Sequence, residues 1–252
     1  MKTSFKQQSP PTSLRIFLVT LVLLSLFCAL FNKLIMELFP EWSIDALLGL
    51  SSLGLDKKFY WQFLTYFFVE PGPEGFTFTF ILNLVFDSYL LWVLSTSIIK
   101  KTGEKTFSTL FLFSGITSGL FGALLMYFTN STTLLIGPTP TLYALLFVWL
   151  MLFPHFEIVQ VTPFPIKARM LIFIFLALSF LGKLSEGAFL LFSVHLGSLV
   201  IGYLFATLVF GARSPFAWTR KLDYVLTSIG KWIRKKLRKK SAADKIIDIN
   251  WR

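Results

Sequence analysis

A threonine and a histidine give this chain the means to do chemistry in surroundings that exclude water. Thr139 lies between two prolines in Gly137-Pro138-Thr139-Pro140, at the head of an apolar run. His195 begins His195-Leu196-Gly197-Ser198 inside a second run. A hydroxyl at one helix entrance and an imidazole on another membrane helix are the equipment of an intramembrane hydrolase. The imidazole takes the hydroxyl proton, the oxygen attacks a carbonyl, and nearby donors hold the developing oxyanion. Two features count against efficient hydrolysis here. The threonine methyl crowds a closed site, and threonine nucleophiles generally act at a free N-terminus with their own amine as base. Each proline lacks an N–H and holds φ at about −65°, and Thr139, preceding Pro140, is pushed toward extended backbone. Threonine at the N-cap with proline at the first helical position is also how a helix starts. The sequence therefore predicts Thr139 as a helix cap, with a weak nucleophile as the alternative. His195 reads equally as a base or as a structural partner of Thr139. His155, in Pro154-His155-Phe156-Glu157, reads as a loop residue, and no third ligand accompanies it and Glu157. With no phosphate loop, dinucleotide fingerprint or metalloprotease helix either, no metal and no cofactor are expected.

The elements that must position these groups are membrane helices. A chain of 252 residues with 55% hydrophobic, 17% aromatic and only 15% charged residues, at mean hydropathy +0.70, is excluded from the soluble globular class. Crossing a hydrocarbon core of ~30 Å takes about 20 helical residues. Long apolar runs without alternation make helices and not a barrel. Six spans are predicted: Leu14 to Phe31, Phe76 to Ile99, Phe107 to Phe128, Thr139 to Phe153, Met170 to Leu181 and Phe189 to Phe210. Lys2 and Lys6 precede the first and Arg15 lies at its start, Lys100, Lys101 and Lys105 follow the second, and Lys167 and Arg169 precede the fifth. The loops near Asn130 and Gly182 are almost free of Lys and Arg, so both termini are expected in the cytoplasm. The expectation is a multi-pass integral membrane protein, in the inner membrane if the cell is bacterial. No cleavage site follows the first run, where bulky Leu34, Ile35 and Met36 come next, so a signal peptide is not expected. The single cysteine, Cys28, excludes an intrachain disulfide.

The chain divides into a cytoplasmic N-terminal segment (1–13), a membrane domain (14–210) and a basic tail (211–252). The region 32–75, with Pro40, Trp42, Tyr60 and Trp61, is too apolar for a solvated loop and too broken for a crossing. It is predicted to lie in the interface, its aromatic residues at the headgroup level. Most of the net charge of +11 comes from the tail, where Lys231, Arg234, Lys235, Lys236, Arg238, Lys239 and Lys240 cluster. Leu222, Val225, Leu226, Ile229, Trp232, Ile233 and Leu237 recur among them at helical spacing. That pattern predicts a helix lying on anionic lipids, and no stacking platform or groove-reading motif supports nucleic acid as a partner. Gly115, Gly119 and Ala123 in the third span, and Ser198, Gly202 and Ala206 in the sixth, form stripes of small residues for close helix approach. His195, just before Ser198, is expected on that packed face.

Four segments, in order, resemble the rhomboid family of intramembrane serine proteases, over roughly residues 14 to 210. Trp61-Gln62-Phe63-Leu64-Thr65-Tyr66 is similar to the tryptophan-arginine run before span two, and Asn83 to the asparagine of a His-x-x-x-Asn motif. Gly137-Pro138-Thr139-Pro140, followed by Tyr143-Ala144-Leu145, resembles the Gly-x-Ser-Gly nucleophile motif. His195-Leu196-Gly197 with Gly202 resembles the histidine motif that opens span six, and Phe164-Pro165-Ile166-Lys167-Ala168-Arg169 is also family-like. The resemblance implies an all-α, six-helix membrane bundle. It also implies a site with Thr139 at the nucleophile position, His195 at the base position and Asn83 at the oxyanion position. Asn83 otherwise reads as hydrogen-bond glue between helices. Departures fall on the same site: threonine replaces the serine, Thr79 the motif histidine, Pro140 the following glycine and Gln62 the arginine. Losing one oxyanion donor costs roughly 10²–10³ in rate. A proline before the nucleophile position resembles inactive relatives that bind clients without cutting. The expected function is thus a degenerate endopeptidase site that binds transmembrane segments of other proteins. The alternatives are an active peptidase using Thr139 with His195, and a small transporter component. The spans read as free of charge and without paired broken helices, which argues against transport.

Overall fold

The structure, a computed structural model, describes residues 11–39, 43–72, 75–154, 157–158, 166–216 and 219–249. Lys2, Lys6, Trp42, His155, Phe164 and Pro165 lie outside the described residues, as do the side chains of Leu237, Arg238, Lys239 and Lys240. Among the described residues, four helices are long and apolar enough to cross a membrane. These are α1 (Thr12–Leu38), α5 (Phe78–Thr102), α6 (Glu104–Thr129) and α9 (Phe189–Phe205), the last prolonged by a π-helical turn at Ala206–Phe210. Two shorter apolar helices complete the set, α7 (Thr139–Leu152) and α8 (Ala168–Ser185). Two-residue strands β1 (Glu157–Ile158) and β2 (Ile166–Lys167) pair antiparallel just before α8.

Helix α7 is short because it is central. Nearly every residue from Pro140 to Leu152 is buried, and it packs on α9, α5 and α6. A helix apolar on all sides needs neighbours on all sides. Gly202 sets the α7–α9 distance, since a Cβ there would collide with the Ala144 backbone. Between α6 and α9, Ser198 Oγ donates to Ser118 Oγ at 2.9 Å.

The small stripe on α6 works differently from the expectation. A Cβ on Gly115 or Gly119 would strike the rings of Phe67 and Tyr66, so these glycines admit aromatic side chains from the preceding segment and not a helix backbone. That segment contains α2 (Ile44–Leu48), α3 (Ser52–Asp56), α4 (Gln62–Thr65) and a 3₁₀ turn at Tyr66–Phe68. Tyr60 and Trp61 are exposed, whereas Tyr66, Phe67, Phe68 and Val69 are buried in the core. Tyr66 hydroxyl donates to the Gly115 carbonyl at 2.7 Å. The aromatic run is therefore half exposed and half core.

Gln62, at the position of the family arginine, is fully buried. Its amide donates to the Ala46 and Leu47 carbonyls at 2.8 and 3.3 Å and accepts from the Ser51 N–H at 3.3 Å. A Cβ on Gly54 would occupy the space this side chain fills. A neutral amide thus ties α2, α3 and α4 together.

Candidate active site

The chain enters α7 through a held turn. The Gly137 N–H donates to the Tyr66 carbonyl at 2.9 Å, and Gly137 has φ +117°, a region that a Cβ disfavours. Leu50 and Leu135 exchange backbone hydrogen bonds at 2.8 Å, binding the same approach to the interfacial segment. Pro138 occupies the N-cap, and Thr139 is the first helical residue, with no side-chain cap bond. The predicted cap is thus displaced by one residue. Pro138 already has helical dihedrals, φ −74° and ψ −12°, so the helix begins before Thr139. Its hydroxyl is half-buried and makes no hydrogen bond among the described residues. An α-helix leaves its first four N–H groups unsatisfied. Here Pro138 and Pro140 remove two of those donors, leaving the N–H groups of Thr139 and Thr141.

His195 projects from α9 toward α7 and is 5% exposed. Its ring stands against Tyr143 of α7 at 4.9 Å between centroids and 67° between planes. Its Nδ1 is buried and finds no hydrogen-bond partner among the described residues, and the same holds for Thr141 Oγ1. Tyr143 in turn hydrogen-bonds Ser179 of α8. Thr139 and His195 therefore stand on adjacent, tightly packed helices without a hydrogen bond between them. Asn83 and Thr79 lie on an exposed side of α5, whose buried side is Phe80, Leu84, Leu91, Leu94, Ser95 and Ile98.

Two carboxyls escaped the sequence reading. Asp87 sits inside the second span, contrary to the expectation of charge-free spans, and its carboxyl lies beside that of Glu70. Glu70, 5% exposed, follows the buried aromatic run, and its N–H donates to Ser25 Oγ of α1 at 2.8 Å. Burial, and then the Asp87 charge, push the Glu70 carboxyl well above the usual carboxylate range. The signal was visible: an aspartate four residues after Asn83, in the middle of an apolar run. Among the described residues no three His, Cys, Asp or Glu side chains gather as a metal site.

The arrangement sets a hydroxyl at the head of α7 and a buried imidazole on α9, with two N–H donors left at that helix end. No curated protein matches the chain. The rhomboid domain model matches residues 57–212, more than half of the chain and the stretch that carries Asn83, Thr139 and His195, and the protein belongs to the rhomboid family.

Proposed function

We propose that this integral membrane protein binds transmembrane segments of other membrane proteins at a degenerate endopeptidase site and does not cut them efficiently. The observation behind this reading is the entrance of α7. Thr139 is flanked by prolines that delete two of the four helix-end donors, and no hydrogen bond joins its hydroxyl to His195. Attack needs a base in reach and an oxyanion needs donors. Binding needs only unsatisfied polar groups among apolar neighbours, which His195 Nδ1 and Thr141 Oγ1 provide. In this reading the chain crosses the membrane six times, α7 and α8 being the short crossings, with both termini cytoplasmic and α10 (Arg220–Ile249) on anionic lipid.

The test is cleavage of a model rhomboid substrate by purified protein in liposomes, with client co-purification measured alongside. Wild type yields no product, and client capture survives Thr139→Ala. Product that disappears in both Thr139→Ala and His195→Ala overturns the proposal in favour of a threonine-using peptidase. That second reading is favoured by the one unpartnered imidazole nitrogen, because dyad hydrogen bonds often tighten only when substrate is bound. Cleavage gained by Thr139→Ser would show that the rest of the site remains preorganised.

A further inference from the structure

Two cavities meet at Phe216, and together they have the chemistry of one lipid molecule. The larger is an apolar groove of about 470 Å³ between Phe147 of α7, Phe173 of α8, Leu196 and Val200 of α9, and Phe216 and Leu222 beyond α9. Its volume lies within the range of about 300–1,000 Å³ typical of small-molecule sites. Leu196, Val200 and Leu204 form one exposed stripe on α9, so the groove opens toward the surface that the hydrocarbon covers. The smaller cavity, about 300 Å³, is lined by Arg213, Ser214, Phe216, Arg220 and Tyr224. Arg213 and Arg220 are exposed. The Asp223 carboxylate also lines this pocket, but its oxygens already accept from Tyr203, Ser214 and Thr219.

We propose that these cavities form a site for one anionic glycerophospholipid, with its phosphate between Arg213 and Arg220 and an acyl chain in the groove. A guanidinium presents a planar fork of donors that matches phosphate oxygens. An apolar groove at the end of a membrane helix is filled most readily by the apolar chain that a headgroup there carries with it. Basic pockets between membrane helices bind lipid headgroups for the same reason. A transmembrane protein segment suits the groove but not its end, where two arginines require an anion. The site is separate from the clusters at Thr139 and His195 and does not depend on whether they cut.

The experiment is native mass spectrometry of the full chain in micelles, titrated with phosphatidylglycerol, with phosphatidylcholine of the same chains, and with soluble glycerol 3-phosphate. One phosphatidylglycerol is retained per protein, and the other two bind far more weakly. Arg213→Gln with Arg220→Gln weakens retention roughly 30-fold, about five-fold for each arginine. Val200→Trp, which fills the groove, abolishes retention. Lys33→Gln with Lys105→Gln, exposed lysines away from the tail, leaves it unchanged. All variants are compared at equal unfolding temperature. Equal retention of phosphatidylcholine, glycerol 3-phosphate as tight as the lipid, or an unchanged arginine pair overturns the proposal. So does a lysine pair that matters as much as the arginines, or displacement of the lipid by an uncharged transmembrane peptide.

Discussion

The two ends of α9 treat buried polar groups in opposite ways. At the N-terminal end, His195 Nδ1 and, across from it on α7, Thr141 Oγ1 are buried without partners. At the C-terminal end the Asp223 carboxylate, 2% exposed, accepts from Tyr203 hydroxyl at 2.6 Å, the Ser214 N–H at 3.1 Å and Thr219 hydroxyl at 3.3 Å. An unsatisfied buried polar group is costly, and in a native protein it marks a place where something else supplies the partner. The satisfied end is a joint. It docks α10 (Arg220–Ile249) against the π turn, where Gly230 lets the Leu208 backbone in close and Arg234 donates to the Val209 carbonyl. On the proposed function, the unsatisfied end is a receptacle. The same helix would then serve stability at one end and recognition at the other.

That contrast breaks if stability follows the wrong end. Asp223→Ala strands three donors and is expected to cost about 3 kcal/mol or more, lowering Tm by roughly 6–12 °C in thermal unfolding. The carboxyl pair comes next. Glu70 has its pKa raised in the folded state, so the stability it contributes is present at low pH and lost as pH rises through that value. Wild type should therefore lose stability between about pH 4.5 and about 8. Asp87→Asn, which removes the second charge and leaves Glu70 buried, should remove part of that loss, about 2 kcal/mol; a flat wild-type profile would count against a raised Glu70 carboxyl.

Asp45 is an intermediate case. Asn32 donates to its Oδ2 at 3.0 Å, but its Oδ1 is unpartnered, and burial pushes its carboxyl up from 3.8 to about 6. As for Glu70, the raised value means stability is lost as pH rises, here between 3.8 and about 6. Asp45→Asn should stabilise by about 1–2 kcal/mol at pH 8 and leave pH 4 little changed, as unfolding at the two pH values would show. The smallest effect belongs to the receptacle itself. His195→Leu, losing no hydrogen bond, should stay within about 1 kcal/mol of wild type while client capture falls. A large loss of stability there would make His195 a structural residue and erase the contrast.

Much of the fold was legible residue by residue. The predicted span starts at Thr139 and Phe189 coincide with helix starts, because turn residues and apolar runs are local signals. The predicted end at Phe31 fell short of Leu38, since a helix continues past the hydrocarbon without changing its composition abruptly. Thr139, Asn83 and His195 were identifiable as residues, but the face each occupies was not. Asn83 and Leu84 are neighbours in sequence, yet one is exposed and the other buried, because helix rotation is set by packing partners far along the chain. The partnership of Gln62 with Gly54 and of Glu70 with Asp87 joins positions that no local pattern relates.

By itself the sequence determined a helical membrane protein, its apolar runs and its basic tail. Those properties follow from composition and spacing, which lipid reads directly through the cost of unpaired backbone and charge. Only the tertiary structure decided that α7 is the buried centre, that the aromatic run beside Tyr66 is core, and that Asp223 is bonded while His195 is not. Satisfaction of a polar group depends on which atoms of distant segments come within about 3 Å of it, and that is a property of packing, not of order along the chain.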